Sequence, residues 1–140
     1  MMHATEFTVV FIALFAGHQV GDFWIQRDTD ARNKGLPGWK GRRACAIHVA
    51  TYTLTQAYAL VIAATVLAVP LDWQHVAPGL AVSAVTHYAA DRRALPGWLA
   101  GKLGKARYWA TGEGQLALDQ AWHYGSIFAA ALVIAGRWSW

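Results

Sequence analysis

Residues 7–26 read FTVVFIALFAGHQVGDFWIQ, with no Lys or Arg and with Asp22 as the one acidic residue. A helix of about 20 residues crosses the roughly 30 Å apolar core of a bilayer. Three further stretches combine this length with apolar character: residues 44–69, 73–91 and 115–136. The sequence therefore predicts an all-α polytopic membrane protein, with four transmembrane helices in a bundle that forms a single domain.

The composition supports a membrane protein. Of 140 residues, 56% are hydrophobic and 14% are charged, whereas soluble domains average about 45–50% and about 25%. This composition excludes disorder, and the single cysteine, Cys45, excludes a disulfide framework and a Cys-based zinc finger. The third stretch is the weakest because Pro78 and Gly79 interrupt it. The alternative to a membrane protein is a soluble bundle of fully buried helices.

The basic residues predict the orientation of these spans. Six lie between the first and second stretches and five between the third and fourth, so only Arg137 of the twelve lies elsewhere. By the positive-inside rule both long loops are cytoplasmic and both termini face outside. The expected partner is therefore the lipid bilayer. No nucleic-acid partner is expected, because the basic residues flank spans instead of forming a continuous surface.

Short patterns recur in the two halves of the chain. Leu-Pro-Gly-Trp occurs at residues 36–39 and again at 95–98, each time after a His-x-x-x-Asp element. This recurrence is compatible with two repeated helical hairpins. The alternative is that each loop has its own Pro-Gly turn and interfacial tryptophan. Gly17 and Gly21 also make a Gly-x-x-x-Gly step that would let a neighbouring helix approach.

Ionisable side chains within membrane spans are costly and usually functional. Apart from His48, they occur here in pairs spaced four residues apart, which places each pair on one face of its helix. All of them fall in the half of the spans that the orientation places toward the cytoplasm. The predicted metal ligands are His18, Asp22, His48, His87, Asp119 and His123.

Imidazole and carboxylate ligands together suit Zn, Mn or Fe, and six of them suffice for one or two divalent ions. Bundle cores hold such sites when facing helices project these side chains inward. Gln26 and Gln120 are expected to orient the ligands by hydrogen bonds, or else to be ordinary interfacial polar residues. The alternative to metal binding is a buried His/Asp network that only joins the helices.

These residues resemble the pattern of an uncharacterised family of small bacterial inner-membrane proteins, domain-of-unknown-function 3307. The resemblance covers nearly the whole chain and implies four spans in the bacterial inner (plasma) membrane, without an established activity. The matching elements are His18-x-x-Gly21-Asp22-Phe23-x-x-Gln26, Asn33-Lys34, His48, His87-x-x-x-Asp91 and Asp119-Gln120-x-x-His123.

The predicted function is a metal-dependent hydrolase that acts on a membrane-associated ester or phosphoester at the cytoplasmic face. Asp91 is the expected general base, because it borders the aqueous side. Two alternatives remain: a non-catalytic membrane scaffold or partner subunit, and a transporter of metal ions or protons. A homodimer is compatible with so small a bundle. An anionic headgroup would be bound by Lys34, Arg42, Arg43, Arg92 and Arg93, unless these serve topology alone.

Overall fold

The computed structural model describes residues 4–136, so Arg137 lies outside the described residues. Every regular element of the described part is a helix, which confirms the all-α prediction. In chain order the helices are α1 (Ala4–Val20), continued by a π-helical turn (Gly21–Ile25), α2 (Asp28–Asn33), α3 (Gly38–Val66), α4 (Trp73–Asp91), α5 (Ala94–Lys102), α6 (Ala106–Trp109) and α7 (Gly112–Ala135).

The four long helices α1, α3, α4 and α7 correspond to the four predicted stretches. Helix α4 has the predicted bounds and continues through Pro78. Helix α3 begins earlier than predicted, because Pro37 precedes it and Gly38, at φ +76°, starts its first turn. Asp72 caps α4 by accepting a hydrogen bond from the backbone N–H of Gln74. The helix bounds therefore follow local capping signals as well as hydropathy.

The two long loops contain three short helices that the sequence did not predict, α2, α5 and α6. The two Leu-Pro-Gly-Trp copies differ in setting: the first leads into α3, whereas the second lies inside α5. The similarity of the two halves therefore does not extend to the backbone of their loops. Whether the halves arose by duplication stays a prediction.

The long helices pack in chain order around a ring. Helix α1 contacts α3 and α7, and α4 contacts the same two helices. The approach of α1 to α3 depends on Gly17, because a Cβ added there would lie 2.8 Å from Cα of Gln56. A Cβ at Gly21 would likewise lie 3.3 Å from Cα of Tyr52. The close packing of α1 against α3 agrees with the prediction that these two glycines let a neighbouring helix approach.

An apolar core fills one end of the four-helix bundle, and polar side chains fill the other end. The core consists of Val10, Ala13, Leu14, Leu60, Val76, Ile127, Ala130, Ala131 and Ile134. Tyr52, Gln56 and Ser83, which are buried, lie between this core and the histidines. The fold thus concentrates its buried ionisable side chains at one end of the bundle.

Two helices are long and apolar enough to cross a membrane, Ala4–Ile25 and Gly38–Val66, each with a mean hydropathy of 1.4. Within the described residues, α4 and α7 do not reach this hydropathy. These two helices carry part of the predicted site, namely His87, Asp91, Asp119 and His123. By length and composition, the chain is compatible with a membrane protein with two spans.

Candidate metal centre

Each of the four long helices contributes one buried histidine to the same region. His18, His48, His87 and His123 come from α1, α3, α4 and α7, and each is at most 1% exposed. The rings of His87 and His123 lie 4.2 Å apart between centroids, and those of His18 and His123 lie 5.1 Å apart. The fold therefore brings together histidines that are far apart in the sequence.

Three carboxylates accompany these histidines at the predicted four-residue spacing. Asp22 and Asp91 are 7% and 2% exposed at the side chain, while Asp119 is 25% exposed. Asp22 lies on the π-helical turn that extends α1. Such turns are rare and occur frequently at functional sites. Asp91 differs from expectation, because it is buried instead of bordering the aqueous side.

Four ligand-type atoms form a compact group at the centre: Nε2 of His48, Nε2 of His87, Oδ1 of Asp22 and Oδ2 of Asp91. The two nitrogens are 3.0 Å apart. Oδ1 of Asp22 lies 3.2 Å from the His48 nitrogen and 3.4 Å from the His87 nitrogen. Oδ2 of Asp91 lies 3.3 Å from each nitrogen.

These five distances are close in length to five of the six edges of a metal-coordination tetrahedron. Zinc bonds to imidazole nitrogen and carboxylate oxygen are about 2.0–2.1 Å long, which gives tetrahedral edges of about 3.3–3.4 Å. Two uncharged imidazoles that point their Nε2 atoms at each other share at most one proton, whereas a cation between them satisfies both lone pairs. Asp22, His48, His87 and Asp91 thus fit a divalent ion.

Several buried polar atoms of this region form no hydrogen bond within the described residues. A buried polar group without a partner costs about 1–3 kcal/mol, and more if it is charged. Four of these atoms face neighbouring ligand-type atoms: Nδ1 of His18, Oδ1 of Asp22, Oδ2 of Asp91 and Nε2 of His123. Coordination of a cation by the two carboxylate oxygens would compensate for their loss of hydration.

Comparison with known proteins places this arrangement in a family. A family model described as "Protein of unknown function (DUF3307)" matches residues 10–139. The chain belongs to the DUF3307 family. All the histidines and carboxylates of the centre lie within the matched residues. Neither the search of curated proteins nor the search of solved structures found a match.

Beside the tetrahedral group, this DUF3307 chain has a second cluster. Nε2 of His123 lies 3.5 Å from Oδ2 of Asp119 and 4.0 Å from Oδ1 of Asp91. That same Asp91 oxygen is 2.7 Å from Nζ of Lys34. Asp91 therefore faces both clusters, with one oxygen toward each.

His18 and the two predicted glutamines lie at the side of the centre. Nδ1 of His18 is 3.6 Å from Oδ2 of Asp22, and its Nε2 is 3.3 Å from Oε1 of Gln120. Gln120 thus has the predicted position for orienting a histidine. The Nε2 amide nitrogen of Gln26 is buried and forms no hydrogen bond within the described residues.

The five residues that were predicted to bind a headgroup lie in different parts of the structure. Arg92 donates to the backbone carbonyls of Lys34 and Leu36, so it ties the first long loop to the end of α4. Arg93 and Lys34 line a cavity of about 140 Å³ beside Asp91 and Asp119. Arg42 and Arg43 lie along a groove between α3 and α4 instead, together with Trp39 and Tyr88. Of the five, only Lys34 and Arg93 therefore adjoin the centre through this cavity.

Sequence reasoning missed a hydrogen-bonded group that supports His87. The Tyr52 ring lies 3.8 Å from that of His87 between centroids, and its hydroxyl is 2.9 Å from Oγ of Ser83. Ser83 donates to Gln56, whose amide donates to the carbonyl of Leu14. The signal was present in the sequence, because Tyr52 and Gln56 continue the four-residue stripe that begins at His48.

Proposed function

We propose that this chain is a membrane-embedded metal-binding protein, and that its centre hydrolyses a membrane-associated phosphoester or ester at the cytoplasmic face. The observation that carries the proposal is the group of five interatomic distances of 3.0–3.4 Å among Asp22, His48, His87 and Asp91. The ion is divalent, with zinc, manganese and iron as the candidates that suit nitrogen and oxygen ligands.

The distribution of polar and apolar side chains supports four spans in a bilayer. Ionisable residues of membrane spans face the bundle interior and pair with one another, and the ionisable groups of the centre do both. Large apolar side chains on all four long helices face outward, as shown by Ile12, Leu54, Val85 and Phe128, which are 48–70% exposed. At about 1.5 Å per residue, the 19 residues of α4 and the 24 of α7 span about 28 and 36 Å, close to and above the roughly 30 Å of a bilayer core.

A divalent ion held by these four side chains would have to take the attacking water as a fifth ligand; it would then lower the pKa of that water to about 7 and polarise the bond under attack. Because Asp91 lies at ligand distance from two histidines, it is not free to act as the general base. Asp119 is the more exposed carboxylate and lines the cavity beside the centre. It therefore takes the proton of the attacking water, with His123 as its neighbour.

The cavity beside the centre suits an anionic substrate group. Lys34 and Arg93 supply positive charge at its wall, and Trp109 and Leu116 supply apolar surface. At about 140 Å³, the cavity accommodates a headgroup more readily than a whole lipid, whose chains would remain in the bilayer. The basic loops that surround it would attract anionic headgroups.

Hydrolysis fits this arrangement better than transport does. A conduction path requires polar groups at successive depths across the membrane. Here the end of the bundle opposite the centre is packed by apolar residues such as Val10, Leu14 and Ile127, all 0% exposed. A purely structural role remains as an outcome of the experiment below.

Metal analysis of detergent-purified protein tests the first half of the proposal. We expect stoichiometric metal in the wild type, and loss of it in His48→Ala and Asp22→Asn. His75→Ala is the matched control, because His75 lies outside the centre beside Asp72 and its loss leaves metal content unchanged. Circular dichroism and gel filtration identify variants that still fold. A wild type that binds no metal after metal-replete purification would contradict the proposal.

Turnover by the metal-replete protein tests the second half. We expect hydrolysis of at least one member of a panel of phospholipids, polyprenyl phosphates and soluble phosphoesters. Chelation should abolish this activity, and addition of the ion should restore it. A metal-loaded protein that is inactive on the whole panel, and that loses only stability when the metal is removed, would support the structural role instead.

A further inference from the structure

Asp91 is placed to share its charge between two cations. Its Oδ2 belongs to the tetrahedral group with His48 and His87, while its Oδ1 lies 2.7 Å from Nζ of Lys34. Asp91, Asp119 and His123 form a second ligand-type group, with one atom from each within 4.8 Å of the others. His123 is 1% exposed, and its Nε2, which faces this group, forms no hydrogen bond within the described residues.

We propose that the centre holds a single divalent ion and that the ammonium group of Lys34 occupies the second cation position. The ion lies in the group formed by Asp22, His48, His87 and Asp91. Lys34 contacts the other oxygen of Asp91, so that lysine and ion share one carboxylate. This inference rests on the proposed metal binding and adds the number of ions and the role of the lysine.

Charge balance favours one ion with one lysine. The ion pairs of the cluster involve three carboxylates, Asp22, Asp91 and Asp119, and one permanent cation, Lys34, within the described residues. With uncharged histidines, one divalent ion and one ammonium group cancel three negative charges. Two divalent ions beside Lys34 would leave two excess positive charges. An unbalanced charge is expensive in a buried site, because the low dielectric weakens its solvation.

The backbone holds Lys34 in this position. Its carbonyl accepts a hydrogen bond of 2.5 Å from Arg92, and the carbonyl of Leu36 accepts one of 2.8 Å from the same guanidinium group. Since Arg92 directly follows Asp91, these bonds tie the loop to the end of α4. The side chain of Lys34 is only 14% exposed, which is low for a lysine in a loop.

The inference explains how Asp119 and His123 remain available for chemistry. An ion held by Asp91, Asp119 and His123 would occupy the groups that accept the proton in the proposed reaction. The Lys34 ammonium supplies the positive charge without taking the lone pairs of His123 or of Asp119. It also lies at the cavity wall, where it contacts an anionic substrate group.

The number of bound ions tests the inference directly. Detergent-purified protein is titrated with zinc or manganese, and metal per chain is measured after removal of unbound ion. We expect one ion per chain in the wild type and in Lys34→Arg, which keeps the charge. We expect two per chain at saturation in Lys34→Met and Lys34→Gln, because the second group then lacks its cation.

Lys40→Met is the matched control, because it removes an exposed charge near the same loop and should leave one ion per chain. Two ions in the wild type, or a single ion in both Lys34→Met and Lys34→Gln, would overturn the inference while leaving metal binding intact. A wild type without metal would overturn the proposed function as well, so the two failures are distinguishable.

Discussion

Asp91 illustrates how burial changes the role of a residue that the sequence identified. Its position at the end of a span suggested an exposed base, but the side chain is 2% exposed and lies at ligand distance from two histidines. Asp119 has the same four-residue relation to a histidine and is 25% exposed. In the proposed reaction the two carboxylates therefore have different roles, because they differ in access to water.

Substitution of Asp119 by Asn tests this division at the level of one residue. Asn keeps the size of the side chain but accepts no proton, so we expect the ion to remain bound while kcat falls by about 10²- to 10⁴-fold. Steady-state kinetics and metal analysis on the same preparation measure both effects. Asp72→Asn is the control, because Asp72 caps α4 outside the centre and Asn is an equally good cap.

If Asp119→Asn loses its metal, Asp119 is a ligand, as the sequence first indicated. If it keeps both metal and full activity, the general base lies elsewhere. Either result would contradict the assignment of Asp119 as the group that accepts the proton.

At the scale of the helices, close packing sets the position of the ligands. Gly17 and Gly21 let α1 approach α3, and this approach brings His18 and Asp22 toward His48. A Cβ at Gly17 would lie 2.8 Å from Cα of Gln56, so the backbone of one of the two helices would have to shift. The small side chains of α1 are therefore part of the support for the centre.

Gly17→Ala is expected to lower the free energy of unfolding by about 1–3 kcal/mol, which is typical of overpacking at a tight contact. Gly125→Ala on α7 is the matched control, because an added Cβ there meets nothing within 4 Å. Alanine is the better helix former, so Gly125→Ala should be neutral or stabilising by up to about 1 kcal/mol. Reversible unfolding in detergent measures the change in the free energy of unfolding for each variant. Equal changes for Gly17→Ala and Gly125→Ala would show that α1 and α3 do not pack this closely.

The sequence predicted the long helices and the histidine stripes because hydropathy and the four-residue spacing are local properties of a helix. It did not predict the π-helical turn that carries Asp22, since such a turn depends on how α1 packs. The contact of Lys34 with Asp91 was also missed, because it joins a loop to a distant helix. Tyr52 was overlooked, although it shares a helix face with His48, because an aromatic residue is common in any core.

The whole molecule is a bundle with large apolar side chains outside and the histidines and carboxylates of the centre inside. Cys45 is the single cysteine of the sequence, so a Cys45→Ser background leaves no native cysteine. Single cysteines then report on the orientation of the loops. Arg32 on α2 and Pro70 between α3 and α4 are both exposed and lie at opposite ends of α3.

A membrane-impermeant maleimide applied to intact cells should label Pro70→Cys but not Arg32→Cys. After permeabilisation it should label both. This pattern follows from the positive-inside rule, because Arg32 lies in a basic loop and the turn that holds Pro70 has no basic residue. Labelling of Arg32→Cys from outside would reverse the orientation, and labelling of both in intact cells would exclude a span between them.

The most direct test of the central claim is the location of anomalous scattering in crystals of the metal-replete protein. Data collected at the absorption edge of the bound metal should show one peak within bonding distance, about 2.0–2.2 Å, of Nε2 of His48, Nε2 of His87, Asp22 and Asp91. A peak at another place in the molecule, or crystals that diffract well and show no anomalous peak among the histidines, would contradict the account.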